Sequence, residues 1–171
     1  MRFPAPGVTV TAAVINGRIR MWEYVNGPWN SSRAAAMYKG PLLRALKKAY
    51  LGHAKRKRPS WFVLEDNDPT GFKSSAARKA KAEVRILTED LPRRSPDFNV
   101  LDYALWHAIN LRMREQESSW LPERKETGEA FKLRLRRTAL ALPRALVTKC
   151  VAHMARRCQA LWHRGGKLFP E

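Results

Sequence analysis

Apolar and polar positions alternate along residues 8–25 in two runs, VTVTAAVI (8–15) and RIRMWEYV (18–25), separated by Asn16-Gly17. A period of two reads as strand, and Asn-Gly accepts the two positive φ angles of a type I′ turn, so the pattern predicts a hairpin. Ser31 or Ser32 can cap a helix running from about residue 33 to 51, interrupted near Gly40-Pro41. SWFVLED (60–66) reads as a buried strand, SSAARKAKAEV (74–84) as a helix capped by Ser74 or Ser75, and VRILTE (84–89) as a short strand. SPDFN (95–99) opens a helix to about residue 114, and a polar stretch, 115–128, leads to another at about 129–142. Pro143 begins a last helix with Val147, Cys150, Val151, Met154, Cys158, Leu161 and Trp162 on one apolar stripe, closed by Gly165-Gly166. The order β-β-α-β-α-β-α, followed by helices, is an α/β layout.

Charge changes this picture. The chain of 171 residues holds 33 Lys+Arg against 15 Asp+Glu, a net +18, which favours polyanionic partners, nucleic acid first. Residues 1–60 carry 12 basic side chains and a single acid, Glu23; residues 61–110 carry seven basic and eight acidic; residues 111–171 carry 14 and six. An acid-bearing middle thus lies between two basic flanks, which suits phosphates held outside and a divalent metal within; solvated helix faces account for the flanks equally well. No apolar run approaches the length of a membrane span, and MRFPAPGVTV lacks the apolar core of a signal peptide. Cys150 and Cys158, about 12 Å apart along one helix, cannot bridge each other, and a reducing compartment is expected. AKRKRP (54–59) reads as a solvated linker, a nuclear-import signal or a phosphate contact, with Arg56, Lys57, Arg58, Arg93 and Arg94 the candidate DNA-backbone contacts.

The candidate chemistry sits in the middle. Asp66 ends a strand, at the sheet edge where α/β folds place ligands, and Asp102 follows 36 positions later in the first turn of a helix. Two carboxylates meeting at one edge repel unless a cation lies between them, and Mg²⁺ takes such hard oxygen ligands. Strand-end and helix-cap roles explain the same residues without a metal. Cys150, His153, Cys158 and His163 point in divergent directions around a helix at about 100° per residue and cannot converge on zinc.

LEDNDPT (64–70) followed by LPRRSPDFNVLDYALW (91–106) resembles the paired signature of mariner-type transposases, DDE/DDD enzymes with a ribonuclease H-like catalytic domain. Asp66-Asn67-Asp68-Pro69 matches the first block; Leu91-Pro92, Ser95-Pro96-Asp97-Phe98-Asn99, Asp102 and Trp106 match the second. The hairpin resembles the family's second and third strands, and MARRCQALWHRGGKLF (154–169) its closing helix. The resemblance implies that Asp66 and Asp102 are catalytic metal ligands for Mg²⁺ or Mn²⁺, with Asn67 supporting Asp66 and Asp68 in the surrounding shell. Asp97 would belong to the turn that orients Asp102, acting as a helix cap. Glu65 should point away from Asp66 along the strand and be structural.

There are departures. Thr70-Gly71 stands where the family commonly has a His, Val100 where it has a Pro, and no Asp precedes Asp66. The first catalytic Asp and the first, central strand of the ribonuclease H-like mixed sheet are therefore expected to be missing, so that 1–171 reads as a partial catalytic domain: hairpin, helix and basic loop (1–60), acidic blocks (61–114) and C-terminal helices (115–171). That absence leaves two outcomes: strand 8–15 slides over to pair with 60–66, or the gap stays open, the outcome favoured for the isolated chain. The implied activity is two-metal-ion phosphoryl transfer at DNA phosphodiesters in the nucleus, incomplete in this chain, with DNA the partner, no membrane, and a homodimer possible in the family but not readable from these residues. The alternative is a non-catalytic basic nucleic-acid-binding protein that keeps the scaffold.

Overall fold

The computed structural model describes residues 8–55, 59–92, 95–121 and 125–165. The chain divides into two compact units, residues 1–94 and 95–171. The predicted contacts Arg56, Lys57, Arg58, Arg93 and Arg94 lie outside the described residues.

In the first unit, β1 (Val10–Ile15) and β2 (Arg18–Tyr24) form the expected antiparallel hairpin. Asn16 and Gly17 both have positive φ, 49° and 68°, as a type I′ turn requires. A bulge opposite Ala13 and Val14 leaves Arg20 as the extra residue, and its Nε donates to the Ile15 carbonyl at 3.3 Å.

The next helix is interrupted near Gly40-Pro41, as predicted, by a π turn rather than a break. It runs as α1 (Ser31–Met37), a π turn (Tyr38–Leu42) and α2 (Leu43–Ala49), with Pro41 inside the π turn. Its cap is Asn30, one residue ahead of the predicted serines: the Asn30 Oδ1 accepts from the Arg33 N–H at 3.0 Å. The phase of the buried residues shows why the π turn is there. At about 100° per residue, Leu42, Ala45 and Leu46 would lie roughly 80° round from Ala34, Met37 and Tyr38 on a straight α-helix. One extra residue in the turn rotates the second half back, so that all six are buried on one face. Pro41, which has no N–H to donate, sits where the α-helical ladder is already interrupted. A short α3 (Leu51–Ala54) follows.

β3 (Trp61–Glu65), α4 (Ser75–Val84) and β4 (Ile86–Asp90) make a βαβ unit, with the two strands parallel and Trp61 opposite Ile86 through Glu65 opposite Asp90. The Ser74 side chain caps α4, accepting from the Ala77 N–H at 3.2 Å, and Arg85 ends it in the left-handed region. Small residues bring α1 and α4 together: Ala34, Ala77 and Ala80 are fully buried in a core shared with Ile15, Met21, Trp61 and Ile86. Strand alternation sends Trp61, Val63 and Glu65 toward that core and leaves Phe62, Leu64 and Leu87 exposed on the other face. Among the described residues β1 pairs only with β2 and β3 only with β4, so β1 does not close onto β3.

The second unit starts with a 3₁₀ turn (Pro96–Phe98) and a helix that opens as a π turn (Leu101–Leu105) and continues as α5 (Trp106–Ser118), four residues beyond the predicted end. α6 (Gly128–Leu140) and α7 (Arg144–His163) follow. Leu105, Ile109 and Met113, at helical spacing, are buried, as are Ala139, Leu142 and Val147. Arg134 of α6 is a structural staple: it grips both Glu126 carboxylate oxygens at 2.9 and 2.7 Å, Glu117 at 2.7 Å, and stacks on Trp120. The predicted apolar stripe of α7 is buried only at Val147; Val151 and Cys158 are exposed, and Trp162 is 84% exposed. No helix of the described residues is long and apolar enough to cross a membrane.

Candidate metal-binding carboxylates

Three carboxylates crowd the end of β3, and the structure gives each a different fate. Glu65 points into the core, as its position on the strand predicted, and is buried. Its Oε1 pairs with Lys81 of α4 and its Oε2 accepts from the Tyr38 hydroxyl. Lys81 is itself buried, lies 5.0 Å over the Tyr38 ring, and reaches Thr88 Oγ1 at 3.4 Å. Burial, and then the hydrogen bond to Glu65, push the Tyr38 hydroxyl far above the usual tyrosine range. Glu65 is thus the anion that lets Lys81 lie inside the unit.

Asp68 organises the turn after the strand. Its Oδ1 accepts from the Thr70 N–H at 3.0 Å and the Thr70 hydroxyl at 2.5 Å; its Oδ2 accepts from the Gly71 N–H at 2.8 Å and the Trp29 indole N–H at 2.9 Å. Burial pushes the carboxyl up, but these donors outweigh it, and Asp68 sits below the usual carboxylate range. Trp29 packs edge-on to Phe72 and so closely over Gly71 that a Cβ there would fall 2.0 Å from the indole nitrogen. Glycine is required at that spot by close approach. The structure therefore gives Asp68, expected in the shell around a metal, both oxygens to protein donors.

That leaves Asp66. It is exposed just past the end of β3, where alternation sets it on the face of Phe62 and Leu64, and its Oδ1 accepts from the Asn67 N–H at 2.8 Å. Support from Asn67 comes from its backbone. Further along this edge Asp90 pairs with Lys73.

Asp102 lies in the π turn that opens the second unit's first helix, and it too is exposed. Its Oδ1 accepts from the Trp106 indole N–H at 3.1 Å, one helical turn on. Asn99, rather than Asp97, makes the cap: its Oδ1 accepts from the Leu101 N–H at 3.1 Å, and its carbonyl accepts from the Asp102 and Tyr103 N–H groups at 2.9 and 3.0 Å. Asp97 takes a different role, one that no neighbouring residue announces. Its carboxylate accepts from Arg157 Nη1 of α7 at 3.1 Å, and that guanidinium stacks over the Tyr103 ring at 4.5 Å. Tyr103 in turn donates to the Cys150 carbonyl at 2.6 Å.

Asp66 and Asp102 thus share one form. Each is an exposed carboxylate with one oxygen fixed by a neighbouring N–H, and each occupies its own unit. Hard, exposed oxygens suit Mg²⁺ or Mn²⁺. Among the described residues no group of three or more His, Cys, Asp or Glu side chains gathers to hold a metal.

No family model matches this sequence, and no curated protein matches it. Solved structures do. The catalytic domain of Mos1 mariner transposase superposes with a TM-score of 0.79 and 18% identity, over 95% of this chain and 76% of that one. The Mos1 catalytic domain with raltegravir and Mg gives 0.72 at 20% identity, over 95% and 77%. The Mos1 paired-end complex with Mn gives 0.73 at 19% identity and covers 99% of this chain, which spans 48% of that one. The likeness shows the fold: a mixed α/β arrangement of the ribonuclease H-like kind, matching the Mos1 catalytic domain, as the sequence resemblance implied.

Proposed function

We propose that this chain is a transposase-derived DNA-binding domain of the DDE endonuclease type, in which Asp66 and Asp102 are the metal-ligating carboxylates. The observation that carries the reading is the division of labour after β3: Glu65 and Asp68 are tied to protein donors, whereas Asp66 stays exposed. Asp102, at the other matching motif, is exposed in the same way. The Mos1 catalytic domain has been solved with Mg and with Mn, and Mos1 complexes include one with the left transposon end, which supports a divalent cation and DNA as ligands here.

In this reading Asp66 and Asp102 would each offer carboxylate oxygen to Mg²⁺ or Mn²⁺, which would activate a water or hydroxyl and steady the leaving oxygen of a DNA phosphodiester. The protein's own part is positional. The Asn67 N–H and the Asp68 turn aim Asp66, while Trp106 and the Asn99 cap aim Asp102. The exposed Arg44, Lys47 and Lys48 of α2 join Arg56, Lys57, Arg58, Arg93 and Arg94 as phosphate contacts, and the nucleus is the proposed site of action. With no three-ligand cluster among the described residues, the two carboxylates are expected to bind metal weakly and cleavage by the chain alone to be undetectable.

Calorimetric titration with Mn²⁺ tests the assignment. Asp66→Asn and Asp102→Asn should each abolish the wild-type heat, and isotherms identical to wild type would sink it. The second reading, a basic scaffold that binds nucleic acid without chemistry, is favoured by the absence of any three-ligand cluster among the described residues. It predicts DNA binding with no Mn²⁺ heat at all.

A further inference from the structure

Asp102 is bracketed by two residues that answer to one side chain. Arg157, on α7 and 60 positions from Asp97, donates from Nη1 to the Asp97 carboxylate at 3.1 Å and meets the Asp97 carbonyl at 3.5 Å. The same guanidinium covers the ring of Tyr103, the residue directly after Asp102. Between these anchors lie the 3₁₀ turn and the Asn99 cap, whose carbonyl receives the Asp102 N–H. Tyr103 closes the loop by donating to the Cys150 carbonyl, two helical turns before Arg157 on the same helix. The start of Asp102's helix is thus held against α7 at three points, and a planar guanidinium is the group that can serve a carboxylate and an aromatic face at once.

The need for such a device follows from local geometry. Asp102 sits in a π turn, where the α-helical ladder does not fix the backbone, and its carboxylate is exposed, so burial does not fix it either. Arg157 is about one-third exposed on its side chain and Asp97 under one-half, so the pair is partly screened, and the Tyr103 ring beneath the guanidinium adds to its hold.

We propose that Arg157 is the positioning residue for Asp102: acting through Asp97 and Tyr103, it sets the aim of the Asp102 carboxylate toward a divalent cation. This rests on the reading of Asp102 as a metal ligand. Residues that orient a ligating carboxylate typically change metal affinity by about tenfold or more when removed.

The test uses the full chain with ¹⁵N-labelled tryptophan. The Trp106 indole N–H donates to the Asp102 carboxylate, so Mn²⁺ held by Asp102 broadens the Trp106 indole resonance, assigned by its loss in Trp106→Phe. Arg157→Gln is expected to raise the Mn²⁺ concentration for half-broadening about tenfold, and Arg157→Lys to recover part of the loss. Asp97→Asn, which keeps the turn's shape and removes its charge, should give the same shift as Arg157→Gln and serves if that variant does not fold. Lys149→Gln, an exposed change on the same helix, should titrate as wild type. Wild-type titration of Arg157→Gln, or of Asp97→Asn, overturns the positioning role even when Asp102→Asn abolishes the broadening. Broadening that survives in Asp102→Asn instead overturns Asp102 as ligand, and the proposal with it.

Discussion

Lys81→Met should destabilise the first unit strongly, and the size of the effect follows from burial. The Lys81 and Glu65 side chains are 7% and 6% exposed, so neither charge is repaid by water. Removing the ammonium leaves a buried carboxylate with, among the described residues, the Tyr38 hydroxyl alone for support. Breaking a buried pair from one side costs about 3–5 kcal/mol. For a chain of this size that is a fall of roughly 6–20 °C in Tm. Circular-dichroism melts and urea titrations of wild type and variant read it directly. The companion is Lys81→Met with Glu65→Leu and Tyr38→Phe, which removes every polar member of the cluster apart from Thr88. It should return to within about 2 kcal/mol of wild type, because apolar groups of similar volume replace a desolvated pair at little net cost. A loss under about 1 kcal/mol for Lys81→Met, the value of an exposed pair, would refute the reasoning. So would a triple variant no better than Lys81→Met alone.

Two further outcomes are expected. Asp68 has a folded carboxyl below its ordinary value, so its stabilisation is full above about pH 4 and fades as pH falls through the folded value; Asp68→Ala should therefore cost less stability as pH is lowered below about 4 than it does at pH 7, by urea titration, and a loss that does not change with pH would contradict the turn's ionic character. Neutralising Arg56, Lys57, Arg58, Arg93 and Arg94 together should flatten the dependence of duplex-DNA affinity on salt in fluorescence anisotropy, by roughly 0.9 in log–log slope for each phosphate that is no longer neutralised; an unchanged slope would show that the phosphates are held elsewhere.

What could be read from the sequence is what short-range chemistry decides. Asn16-Gly17 forces its hairpin turn, Ser74 caps its helix, and the parity of β3 sends Glu65 inward, each within a few residues. The candidate acids were also legible, but not their division of labour, because the partners that decide it come from far along the chain: Trp29 for Asp68, Tyr38 and Lys81 for Glu65. Asp97 misled for the same reason. It has the residue type and place of a cap, yet Asn99 two positions on takes that role, and Arg157 has no local signal to announce it. The Asp102–Trp106 contact, at helical spacing, was within reach. The stripe on α7 shows a different limit. Periodicity says which side chains share a face, not what covers them, and beyond Val147 that face is largely open.

The π turns bear on how the length of this chain can vary. Losing one residue between Tyr38 and Leu42 would turn that helix into a plain α-helix with its two buried halves still in phase, so the core would hardly register the deletion. Losing one anywhere else between Ser31 and Ala49 would swing half the helix by about 100° and carry Leu42 and Leu46, or Ala34 and Met37, out to solvent. Aligned against a chain without the turn, this stretch should therefore show a gap in mid-helix, where gaps are usually taken as errors. The Leu101–Leu105 turn obeys the same rule: one residue fewer there would leave Leu105, Ile109 and Met113 on one buried face.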